Sequence, residues 1–113
     1  MTVERLDIPI AKAEYLFNKE GEPGKGGDKK KFWRVILGFE SPKAICEAIL
    51  AQAAPSQLEA IEPNAYGQRY QAIISITGPS GNVRRIRTIW IVLTGETTAR
   101  FVTAVPRRRK QQP

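Results

Sequence analysis

The clearest pattern in the chain is a two-residue alternation. From Tyr66 to Thr77, Tyr70, Ala72, Ile74 and Ile76 fall on one side, and Gln71, Ser75 and Thr77 on the other. That period predicts a half-buried strand. Gly78-Pro79-Ser80-Gly81-Asn82 then predicts a longer hairpin loop, and Val83 to Thr94 the returning strand. Gly95 to Thr98 turns the chain again, Arg100 to Val105 reads as a last strand, and Pro106 stops it. Further upstream, Phe32 to Phe39 is rich in aromatic and β-branched residues and also predicts a strand.

Helical spacing occurs twice. Ile10 to Phe17 predicts a short helix. Ser41-Pro42 marks the start of a second, because a serine caps free N–H groups and proline suits the first turn. Ile45 and Ile49, then Cys46 and Leu50, form its apolar stripe, and Pro55 ends it. The expected fold is α+β: two N-terminal helices followed by a mostly antiparallel four-stranded sheet. Residues 1–106 form the expected single domain, with a Gly/Lys-rich loop at 18–31, and 107–113 the expected disordered basic tail.

Composition narrows the chemistry. The 113 residues are 42% hydrophobic and 26% charged, as in a globular protein. No apolar run is long enough for a membrane span, and the first residues do not resemble a secretion signal, so a cytoplasmic location is expected, with no membrane partner. There is no histidine, and the single Cys46 lies in a helical apolar stripe, where it reads as a core residue. Histidine triads and Cys/His zinc sites are therefore excluded, and neither metal nor cofactor is expected.

The net charge of +7 is unevenly spread. Residues 1–62 hold nine Lys/Arg against ten Asp/Glu, a net of −1, and residues 63–113 hold nine Lys/Arg against one acid, Glu96, a net of +8. Such an excess favours a polyanion or an acidic protein partner. Two groups of residues could meet it. Lys25, Lys29, Lys30 and Lys31 lead into Phe32, Trp33 and Arg34, an interleaving that suits phosphates and unpaired bases. Strand period puts Arg85 and Arg87 together on one face, with Arg84, Ile86, Thr88 and Trp90 on the other. Arginines beside apolar packing need anions, from a phosphodiester or from acids such as Glu59 and Glu62; the sequence leaves both open.

These motifs also carry a resemblance. Gly27-Asp28-Lys29-x-Lys31-Phe32, Leu37-Gly38-Phe39, Tyr66-Gly67, Ile76-Thr77-Gly78-Pro79-x-Gly81, Arg87-Thr88-x-Trp90-Ile91 and Arg100-Phe101-Val102-Thr103-Ala104-x-Pro106 resemble an uncharacterised bacterial domain family found in toxin–antitoxin and polymorphic-toxin settings. The element order is also similar to the barnase, colicin D and RelE-type ribonuclease superfamily, by fold analogy. The resemblance implies a metal-independent endoribonuclease acting on RNA and neutralised by an acidic antitoxin. In such a reaction a ribose 2′-hydroxyl attacks its own phosphate, which needs a proton acceptor and nearby cations. The implied catalytic set is Lys29 or Lys31 as acceptor, with Arg87, Thr88 and Thr103 on the phosphate. The implied RNA-binding set is Lys25, Lys30, Arg34, Tyr66, Tyr70, Arg85 and Arg100. A non-catalytic nucleic-acid module and a domain docking an acidic protein stand as alternatives. The sequence gives no basis for an oligomeric state.

Overall fold

In a computed structural model, residues 3–18 and 31–106 are described. The chain runs β1 (Arg5–Asp7), α1 (Ile10–Asn18), a π-helical turn (Lys31–Ile36), α2 (Pro42–Gln52), a 3-10 turn (Pro55–Gln57), β2 (Glu59–Ala60), β3 (Gly67–Thr77), β4 (Val83–Leu93) and β5 (Thr98–Pro106). The strands form a five-stranded sheet in the order β1-β5-β4-β3-β2. β1 lies parallel to β5, and the other neighbours are antiparallel.

The β3–β4 hairpin forms because its alternating apolar residues bury one face. Tyr70, Ala72, Ile74 and Ile76 from β3 meet Ile86, Trp90 and Val92 from β4. Ala99, Phe101 and Ala104 extend that layer onto β5, where Phe101 meets Trp90 edge to face at 5.3 Å. α1 contributes Ala13 and Leu16 to this core, and α2 contributes Ile45 and Ile49. α2 starts as its sequence predicts: the Ser41 hydroxyl accepts from Ala44 N–H at 3.1 Å, with Pro42 in the first turn.

Two features differ from the sequence expectation. Phe32 to Phe39 is not a strand. Leu37 N–H donates to the Phe32 carbonyl, five residues back, at 3.0 Å, and the turn buries Phe32, Trp33, Leu37 and Phe39 beneath the sheet. An apolar, aromatic run suits either form, and here tertiary packing decides. The sheet also gains β1 and β2, which are too short to show periodicity, and β1 makes it mixed rather than wholly antiparallel. The expected loop at 18–31 lies mostly, and the basic tail wholly, outside the described residues. No described helix is long and apolar enough to cross a membrane.

Candidate functional site

α1 and α2 pack on the core face of the sheet, and no described helix packs on the other. That second face gathers side chains by register. Near the Gly67 end of β3, Arg69 on β3, Ile91 on β4, Arg100 on β5 and Asp7 on β1 stand in line. The next row is Gln71, Ile89 and Thr103, the next Ile73, Arg87 and Val105, and beyond it Ser75 pairs with Arg85 and Thr77 with Val83. Four arginines thus surround a strip of isoleucines, with Ile89 only 4% exposed.

A bulge in β5 makes this arrangement possible. Ile89 pairs with Thr103 and Trp90 with Phe101, which leaves Val102 without a counterpart. In an unbroken strand, residues three apart face opposite ways. The extra residue turns Arg100 and Thr103 onto the same face.

Two of the arginines have fixed partners. Arg87 Nε donates to Gln71 Oε1 at 2.6 Å, a short bond to a neutral acceptor that holds the guanidinium in place without cancelling its charge. Arg100 instead forms an ion pair with Glu96 through two 3.2 Å contacts. At that edge an open cavity of about 340 Å³ is lined by Arg5, Leu6, Asp7, Thr98 and Arg100.

The structure sorts the residues expected from sequence. Arg85, Arg87, Arg100 and Thr103 share the arginine-rich face. Thr88 does not: it is fully buried on the core face, donating to the Ala72 carbonyl at 2.7 Å and accepting from Trp90 Nε1 at 2.8 Å. A hydroxyl with both bonds satisfied in the core touches no phosphate, which removes Thr88 from the site. Tyr70 is also corrected, since it lies on the core face at 9% exposure. Arg34 sits in the helical layer, its guanidinium 4.3 Å from the centre of the Phe17 ring. Tyr66 is exposed but precedes β3, at the end of the hairpin away from Arg85. Lys31 is exposed at the start of the π-helical turn. Lys25, Lys29 and Lys30 lie outside the described residues.

Sequence reasoning missed Arg69 and Gln71 as site residues, although the alternation that placed Gln71 opposite Tyr70 carries both to this face. Cys46 takes no part. Burial first, and then the Asp7 carboxylate, push its thiol above the ordinary value, which suits an inert packing residue.

The fold and face define a small α+β domain with one helix-covered sheet surface and one arginine-rich surface. The chain belongs to the family described as a domain of unknown function, DUF6883, which matches residues 1–108. No curated protein matches it. Among solved structures it is similar to a chain of a contact-dependent growth inhibition toxin–immunity protein complex from Klebsiella pneumoniae 342. The TM-score is 0.63 at 18% identity, over 88% of this chain and 98% of that one. At that identity the likeness is one of fold.

Proposed function

We propose that this chain is a toxin-like domain that cleaves RNA without a metal ion, through its arginine-rich sheet face, and that an acidic partner protein neutralises it. The observation that carries the reading is the Arg87 guanidinium, held by Gln71, with Arg85 and Thr103 each one row away on the same face and Arg69 a row beyond Gln71. A fixed cation among other cations is what a phosphate gathering negative charge requires. The ribose 2′-hydroxyl attacks its phosphorus, the bond to the 5′-oxygen breaks, and a cyclic phosphate and a free 5′-hydroxyl result. Arg87 and Arg85 stabilise the charge on phosphorus, Thr103 orients an oxygen, and Arg69 and Arg100 hold flanking phosphates. Lys29, outside the described residues, is the acceptor of the 2′-hydroxyl proton in this reading, and water supplies a proton to the departing 5′-oxygen; Lys31 opens the π-helical turn on the helical side of the sheet, away from Arg87. The fold shared with a member of a toxin–immunity complex supports both the toxin setting and a protein partner.

One observation favours a second reading, in which the same face docks an acidic protein and cuts nothing. Ile73, Ile89 and Ile91 run between the arginines, and an apolar centre within a charged rim is the anatomy of a protein interface.

Incubating the purified protein with total RNA in EDTA separates the two. Discrete cleavage is expected from the wild type, with a loss of at least about 100-fold in Arg87→Ala at equal thermal stability. Intact RNA in both lanes overturns the cleavage reading in favour of docking.

A further inference from the structure

β3 carries the Gln71 row of the arginine-rich face, yet part of its outer side has no neighbouring strand. It runs from Gly67 to Thr77, and β2 pairs with Tyr70 and Gln71 alone. Along an antiparallel strand the direction of backbone hydrogen bonding alternates. On the β4 side, the Tyr66 carbonyl accepts from Thr94 N–H at 3.1 Å and Gly78 N–H donates to Asn82 at 3.0 Å. On the outer side, the Gly67 and Arg69 carbonyls accept from Asn64 and Ile61 N–H at 3.0 Å. Even positions thus bond inward and odd positions outward. Ile73 and Ser75 therefore aim their N–H and C=O groups past the end of β2, where no strand among the described residues meets them.

The segment Ala72-Ile73-Ile74-Ser75-Ile76-Thr77 suits an added strand. It is mostly β-branched and lacks the lysines and prolines that commonly blunt an edge. Ser75 is exposed and Ile73 half-buried. On the face, Ser75 is in register with Arg85 and Ile73 with Arg87. A strand laid outside β3 would lie roughly 10 Å from β4, within reach of long side chains. A second copy of the chain would bring its own Arg85 and Arg87 toward the first pair, whereas an acidic strand would find opposite charge.

We propose that the outer side of β3 at Ile73 and Ser75 is a strand-addition site for an extended acidic segment of a partner protein. The segment pairs its backbone with these two residues and sets its carboxylates beside Arg85 and Arg87. This deepens the partner half of the proposed function, resting on the partner being acidic, and is independent of whether RNA is cut.

The probe is a capped eight-residue peptide alternating valine and glutamate, followed by the amide signals of the isotope-labelled full chain. The expected result is hydrogen exchange slowed at least tenfold at Ile73 and Ser75, with no such effect from the lysine-for-glutamate peptide. Ser75→Pro deletes an outward donor and leaves the bonds to β4 intact. It is expected to weaken peptide binding at least tenfold, and Ser75→Ala to leave it unchanged. If Ser75→Pro does not fold, the wild-type exchange map decides. Equal binding of the lysine peptide, or no binding of either, overturns both the proposal and the acidic-partner reading. Acidic-peptide shifts confined to Ile91 and Arg100 overturn strand addition alone. Slowing at the same amides that rises with protein concentration, without peptide, overturns it in favour of a second copy. RNA cleavage in EDTA is read separately, so its failure is told apart from each of these.

Discussion

Thr88 and Arg87 are adjacent on β4 and do opposite things. The Arg87 guanidinium reaches Gln71 on the arginine-rich face, while the Thr88 hydroxyl bridges the Ala72 carbonyl and the Trp90 indole inside the core. The period of two makes them face opposite ways, so only one can serve a ligand on a given face. Replacing Thr88 by valine keeps the shape but leaves the buried Trp90 N–H without its acceptor. Thr88→Val is expected to cost about 1–3 kcal/mol. The check is a lower urea midpoint with an unchanged slope. An unchanged midpoint would mean that the indole finds another acceptor. For Arg87 the strand period was sufficient to choose the face. For Thr88 the same period put it beside Ile86 and Trp90, and its burial followed from them rather than from its own polarity.

Among the elements, those with local signals were legible in the sequence. The Ser41 cap, Pro42 and the isoleucine stripe announce α2, and alternation announces the β3–β4 hairpin. Ser41→Ala is expected to destabilise the fold by about 1 kcal/mol, read from thermal or urea unfolding, because Ala44 N–H loses its acceptor. Elements defined by their neighbours were not legible. β1 and β2 are strands because β5 and β3 present backbone groups to them, and so short a segment carries no period. Phe32–Ile36 has the composition of a strand, but its aromatic side chains are buried by a widened helical turn. The alternation of β4 made Arg85 and Arg87 legible as one face, whereas Arg69 and Gln71, which the alternation of β3 carries to the same face, were not read as site residues. Placing Thr103 with Arg100 depends on the bulge at Val102, a property of the β4–β5 pairing that no local pattern encodes.

At the scale of the whole molecule, most of the positive excess that falls within the described strands is gathered on one face. β3, β4 and β5 turn Arg69, Arg85, Arg87 and Arg100 to the same face, where the isoleucines and Gln71 separate them. If these four engage phosphates of single-stranded RNA, log affinity should fall with log salt at a slope of about −3. Arg69→Gln should reduce that slope by about 0.7 and weaken all RNA sequences alike, as a salt titration by fluorescence anisotropy would show. A slope that does not change would place the RNA elsewhere on the protein.

The parallel pairing of β1 with β5 has a kinetic consequence. Arg5 and Asp7 are synthesised well before Thr98 and Arg100, the residues with which they pair. Until β5 emerges, β1 has nothing to pair with, and the bulge that aligns Arg100 with Thr103 cannot form. Contacts this distant in sequence close slowly. The hairpin of β3 and β4 can form first as a local unit, but the complete arginine-rich face exists only after synthesis reaches the final strand. A host cell making such a chain would thus have an interval, set by that closure, in which the protein is present but its charged face is not assembled.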